Sequence, residues 1–143
     1  MQISPNGLKK LMSWEGCILH VYKDSAGYPT IGVGHLIRKG EDFSKGLTTE
    51  QAQDLLQKDL VRFEAVVNEK VTVPLTQNQY DALVSFAFNV GDGAFRSSTL
   101  LKRLNAGDYT AVPEQLMKWT KAGGKTCDGL ITRRKNEVEL WVA

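Results

Sequence analysis

Between residues 15 and 35 the chain reads EGCILHVYKDSAGYPTIGVGH, and within this stretch the hydrophobic pattern changes period. Upstream, Leu8, Leu11 and Met12 recur at helical spacing, with Glu15 near the same face. Ser4 followed by Pro5 suits the start of that helix, serine as cap and proline in the first turn. Gly16 is a stop. Downstream, the turn formers Ser25, Ala26, Gly27 and Pro29 lead into a β-prone run, Thr30-Ile31-Gly32-Val33-Gly34. A helix that ends and hands the chain to a hairpin at roughly 18–36 demands a small antiparallel sheet beside helices, which makes the fold α+β.

The remainder reads as mostly helical. Residues 38–46 are polar and glycine-bearing, a third short strand or a loop. Thr48 and Gln51 form a capping-box pattern. Ala52, Leu55, Leu56, Leu60, Phe63 and Val67 then mark one face of a helix of about five turns. Thr76 and Gln79 repeat the box and open a helix over 76–90, apolar on nearly every side and therefore buried. Short pieces follow: a helical turn at 93–95, a segment from Thr99 to Asn105 capped by Ser97 or Ser98, and one from Asp108 to about Lys121. Pro113 kinks that last piece or delays its start. Residues 121–129 are expected to be a mobile glycine-rich loop. Its GGKT lacks both the first glycine and the preceding strand of a phosphate loop, so a nucleotide site is rejected. A final helix runs from Leu130 to Trp141. On it Arg133, Arg134 and Lys135, balanced by Glu137 and Glu139, read as a solvated charged face.

A chain of 143 residues that is 42% hydrophobic supports one domain with a real core. The net charge of only +2 argues against nucleic acid as a partner. No apolar run approaches a membrane span, and Lys9 and Lys10 interrupt any signal-peptide core near the start. Cys17 and Cys127 are expected as free thiols of a reducing cytosol. Two histidines, His20 and His35, are too few for a metal site. Neither metal nor cofactor is expected.

Chemistry concentrates in the opening stretch. Glycoside hydrolysis needs one carboxylic acid to protonate the leaving oxygen and one carboxylate to activate water or stabilise charge. Their surroundings must differ. Glu15 has Trp14, Cys17 and Ile18 as neighbours, which would withdraw it from water. Asp24 sits in a polar turn beside Lys23 and Ser25. With sixteen acidic residues in the chain, an acid pair alone means little. The spacing is more telling: Glu15, eight residues, Asp24, five residues, Thr30, then Ile31-Gly32-Val33-Gly34-His35.

That run resembles the signature of the phage lysozymes, the endolysins of glycoside hydrolase family 24, and fits it without a gap. The resemblance implies a two-lobed lysozyme-like fold, with a small β-hairpin lobe at about 16–47 and a linking helix at about 48–70. The larger helical lobe would comprise 1–15 plus 71–143. It implies a muramidase that hydrolyses the β-1,4 bond between N-acetylmuramic acid and N-acetylglucosamine in peptidoglycan. Glu15 would be the general acid, Asp24 the base or electrostatic partner, and Thr30 the holder of the attacking water. An inverting outcome is implied, which suits carboxyls roughly 6.5–9.5 Å apart. Gly34, Asn89 and Arg133 are the implied substrate-side residues, Arg133 (or Arg134) reaching the catalytic glutamate. On residues alone Asn89 reads equally as a turn support. His35 and Asp59 would form a structural ion pair that raises the histidine's folded pKa. A monomer is implied, held in the host cytoplasm until a holin releases it to the wall.

Three other functions compete. A lytic transglycosylase needs an acid but no water-holding aspartate and threonine. A non-catalytic wall-binding module would tolerate loss of Glu15. A DNA-binding helical protein lacks the basic stripe it would need.

Overall fold

Ser4 and Thr48 start the two helices that lead into and out of the hairpin region. The Ser4 hydroxyl accepts from the Gly7 N–H at 3.0 Å, opening α1, Pro5–Glu15. Gly16 ends α1 with φ +79°, a left-handed conformation that a side chain would resist, and its N–H donates to the Met12 carbonyl at 2.9 Å. Three strands follow: β1, Ile18–Lys23; β2, Pro29–Gly32; and β3, His35–Leu36. They pair antiparallel in the order β1-β2-β3, with a bulge in β1 between Ile18 and Tyr22. No strand forms at 38–46. That stretch is a series of turns leading to α2, Thr49–Lys70. The reciprocal box is in place there: Thr48 N–H donates to Gln51 Oε1 at 2.9 Å, and Gln51 N–H to Thr48 Oγ1 at 3.1 Å.

The computed structural model describes residues 1–143 and divides into two compact units. One is Leu8–Val61, and the other joins Met1–Gly7 to Arg62–Ala143. In the first, the central strand and the residue after it are enclosed: Thr30, Ile31, Gly32 and Val33 are buried, and Gly32 faces Ala52 and Leu55 of α2.

In the second unit α3, Gln77–Val90, carries the capping box Thr76–Gln79 and is buried continuously from Tyr80 to Ala87. Around it lie α4, Asp92–Arg96; α5, Thr99–Asn105, capped by Ser98; α6, Ala111–Leu116; and α7, Asp128–Val142. Two expectations are corrected here. The segment from Asp108 is helical only over 111–116, with Pro113 in the first turn, where its missing N–H costs least. Residues 121–129 are no loose loop. Strands β4, Lys121–Ala122, and β5, Lys125–Thr126, pair around Gly123 and Gly124. Both glycines have positive φ, +59° and +81°, as a two-residue hairpin turn requires.

The expected charged face of the last helix is corrected more sharply. Arg134 and Glu137 are 0% exposed, and Arg133 is also buried. Spacing explains it: residues 133, 134 and 137 share one face of α7, and that face packs on α3. Ser85 of α3 donates its hydroxyl to Glu137 Oε2 at 2.6 Å. Arg133 donates Nε to the same oxygen at 3.1 Å and Nη2 to the Ser85 carbonyl at 3.2 Å. Arg134 Nε lies 3.2 Å from Glu137 Oε1, its guanidinium stands 5.1 Å over the Phe86 ring, and it donates Nη2 to Asn89 Oδ1. Burial pushes the Glu137 carboxyl up in pKa, while the two arginines and Ser85 pull against that shift. Removing the acid strands two buried guanidiniums. Glu137→Ala should therefore cost about 3–5 kcal/mol of stability, read by urea denaturation. A cost under about 1 kcal/mol, the range of an exposed pair, would show that the cluster contributes nothing beyond a surface ion pair.

Candidate active site

The hairpin turn is built on Asp24. Its N–H donates to the Tyr28 carbonyl at 2.9 Å, and its carbonyl accepts from Gly27 N–H at 2.9 Å. Its side-chain Oδ1 accepts from both Ala26 N–H at 2.9 Å and Tyr28 N–H at 2.8 Å. This is an Asx-type turn, which an aspartate supports with its own carboxylate. One oxygen is thereby fixed, and Oδ2 takes no part in the turn.

Thr30 follows two residues after Tyr28. It sits opposite Tyr22 of β1 and opposite Leu36 of β3. It is 2% exposed, and its hydroxyl donates to the Tyr28 carbonyl at 3.0 Å. The Tyr28 residue thus holds both side chains, Asp24 through its N–H and Thr30 through its C=O. With the hydroxyl proton committed, the Thr30 oxygen keeps lone pairs to accept from another donor. Nothing in the sequence pattern flags Tyr28 for this role, because its backbone performs it.

Glu15 belongs to the same compact unit, as the last residue of α1. It is exposed, which corrects the expectation that its apolar neighbours withdraw it from water. Gly16 turns the chain immediately behind it, and Ile18 is itself exposed. Gly34, at the β2–β3 turn, is exposed with open space on its Cβ side. In the other unit, Asn89 is exposed near the end of α3, its carbonyl oxygen bound by Arg134. Arg133 is buried with Ser85 and Glu137.

His35 is 7% exposed, and both ring nitrogens meet carboxylates. Nδ1 lies 2.8 Å from Asp59 Oδ2, and Nε2 lies 3.1 and 3.2 Å from the two oxygens of Glu41. A neutral imidazole can donate from only one nitrogen, so this arrangement suits the imidazolium. Burial lowers the His35 pKa, but the hydrogen bonds and charges of Asp59 and Glu41 outweigh it, and the net shift is upward. Glu41 is held below the ordinary glutamate range, first by the Arg38 N–H and then by His35. Glu41 escapes a reading by periodicity because it lies in a turn, where only its i,i+3 relation to Arg38 hints at a partner. Cys17 and Cys127 are half-buried free thiols, and burial raises the Cys17 pKa.

The phage lysozyme family model matches residues 12–137. The endolysin of Salmonella phage P22 is 44% identical over 146 aligned residues, covering 100% of this chain and 99% of that protein. The chain belongs to the phage lysozyme family. A Bacillus phage PZA endolysin is 45% identical, the match covering 99% of this chain and 55% of that longer protein. Among solved structures, a P22 lysozyme variant superposes with a TM-score of 0.91 at 43% identity, covering 100% of this chain and 99% of that one. The chain is a lysozyme: a glycoside hydrolase of the endolysin class, acting on the muramic acid linkages of peptidoglycan. The helix-and-hairpin order and the small antiparallel sheet are those of an α+β, mostly helical member of this fold.

The histidine clamp gives this lysozyme a defined pH signature. A raised His35 pKa means its contribution is full below the unfolded value near 6.5 and is lost as pH rises through the folded value. A lowered Glu41 pKa means the reverse: full above the unfolded value near 4.5, lost as pH falls through the folded one. The clamp should therefore stabilise most between pH 4.5 and 6.5. Two-dimensional NMR titration should give a His35 pKa above 6.5, and Asp59→Asn should bring it down. A value at or below 6.5 in the wild type would contradict the clamp.

Proposed function

We propose that Glu15, Asp24 and Thr30 carry the hydrolysis with inversion at the anomeric carbon. Glu15, as the neutral acid, gives its proton to the glycosidic oxygen as the C1–O bond breaks. Positive charge builds on the sugar ring. A water on the opposite face donates one hydrogen to Asp24 Oδ2 and the other to Thr30 Oγ1, which aims its lone pair at C1. As the new C–O bond forms, Asp24 takes the water's proton. Exchange with solvent then returns Glu15 to its acid form and Asp24 to its base form.

The observation that supports this most is the shared attachment to Tyr28. Asp24 and Thr30 are held by one residue, each with a lone pair or an oxygen outside the turn. Two acceptors fixed against one rigid backbone unit are what a positioned water needs.

Gly34 is proposed as a site of close backbone approach by the saccharide, since its exposed face carries no side chain. Asn89 is proposed as a sugar contact, its carboxamide oriented by Arg134. Arg133 acts in this reading through the buried cluster that joins α3 and α7, rather than by touching sugar. We further infer that the enzyme works as a monomer on the wall and waits in the host cytoplasm for a holin to release it. No helix is long and apolar enough to cross a membrane, which is consistent with dependence on another protein for passage.

Substitution tests the roles directly. Glu15→Gln and Asp24→Asn should each lower turnover on permeabilised bacterial walls by about 10²–10⁴-fold, the usual worth of a general acid or base. Their melting temperatures should remain close to that of the parent. Thr30→Ala should lower turnover less, because the aspartate still holds the water. Full activity of Glu15→Gln would refute the assignment. Anhydro-sugar ends in the wild-type products would replace hydrolysis by transglycosylation.

A further inference from the structure

We propose that Glu41 is a positioning residue for the reaction, holding the strand that faces Thr30 by way of His35. The proposal rests on the role given to Thr30 above. It starts from a weakness in the sheet. Strand β3 is two residues long and lies at the edge, too short to be held by backbone pairing alone. Yet it frames the catalytic threonine. Thr30 pairs with Leu36, Ile31 pairs with His35, and the Ile37 N–H donates to the Pro29 carbonyl at 3.0 Å. Residues 35–37 therefore run beside the three residues centred on Thr30.

Side-chain anchors on that stretch converge on His35. Asp59, from α2, fixes Nδ1. A ring this deeply buried cannot leave Nε2 without a partner at no cost, and Glu41 supplies it. Glu41 is itself locked in place. Its Oε1 accepts the Arg38 N–H at 2.7 Å, and its own N–H donates to the Arg38 carbonyl at 3.1 Å. The Phe43 ring stands edge-on to the imidazole with centroids 5.8 Å apart. The loop after β3 is thus folded around one carboxylate that grips the far side of His35. The charged groups facing the ring are Asp59 from α2 and Glu41 from the loop, with Arg38 beside Glu41. When the imidazolium loses a proton, one nitrogen turns a lone pair toward a carboxylate, and the grip on β3 fails on one side.

The test uses the full chain with Glu41→Ala, Glu41→Gln and Thr30→Ala. His35 is titrated by NMR, and hydrolysis of a soluble peptidoglycan oligosaccharide is followed against pH, well below the melting temperature. In Glu41→Ala the His35 pKa should fall, and kcat should drop roughly tenfold with KM little changed, as expected for a small misplacement of a catalytic group. The alkaline limb of the kcat profile should move to lower pH by the same interval as the His35 pKa. Glu41→Gln, which keeps an acceptor for Nε2–H, should restore part of kcat. If Thr30→Ala loses turnover while Glu41→Ala changes only the melting temperature or the His35 pKa, Glu41 is merely structural and the proposal is overturned. If neither variant loses turnover, the role of Thr30 fails first and this proposal falls with it.

Discussion

A single residue, Tyr28, fixes the relation between the Asp24 and Thr30 side chains of the hairpin. Its N–H is taken by the Asp24 carboxylate and its carbonyl by the Thr30 hydroxyl. The Asp24 carboxylate supports the turn, and beyond it Thr30 follows in register opposite Tyr22 and Leu36. The hydrogen bonds that fold the turn are therefore the ones that would place the two groups in the proposed reaction. An aspartate here serves the local backbone first, as Asx turns do, and that turn engages only its Oδ1.

The two compact units place their ionic groups differently. In Leu8–Val61 the charged cluster is a partly exposed clamp, one histidine between two carboxylates, at the edge of a short sheet. In the unit containing α3 and α7 it is a sealed cluster of two arginines and a glutamate around Ser85. The first contains a histidine whose pKa is raised by its two carboxylates, and so its charge can vary with conditions. The second rests on guanidiniums that stay protonated throughout. Breaking either leaves a charge or donor without its partner, but the penalty is large only where water cannot substitute.

Much of this is legible in the residues. The boxes Thr48–Gln51 and Thr76–Gln79, followed by apolar stripes, announce α2 and α3, because caps and periodicity agree. The change of period at Gly16 announces the hairpin. What escapes is what depends on tertiary partners. Arg133, Arg134 and Glu137 look like a solvated face until α3 presents Ser85 to them. Residues 121–126 look loose because two strands of two residues give almost no periodic signal, although Gly123-Gly124 suits a tight turn. Glu41 has no pattern at all and is visible only once His35 is placed. Of the motif residues, Asp24 and Thr30 are brought together by the turn their own sequence encodes. The burial of Glu15 is misjudged from its neighbours, since Gly16 leaves it at an exposed helix end.

The proposed mechanism reduces to geometry: proton donation from a helix end on one face of the sugar, and water delivered from a hairpin on the other. The direct check is the anomeric form of the first product, followed by NMR on a defined β-1,4-linked substrate before mutarotation. Attack by a water held between Asp24 and Thr30 predicts that the new reducing end appears as the α anomer. A β anomer appearing first would mean that configuration is retained through a covalent intermediate, and that Asp24 and Thr30 do not deliver water from the opposite face.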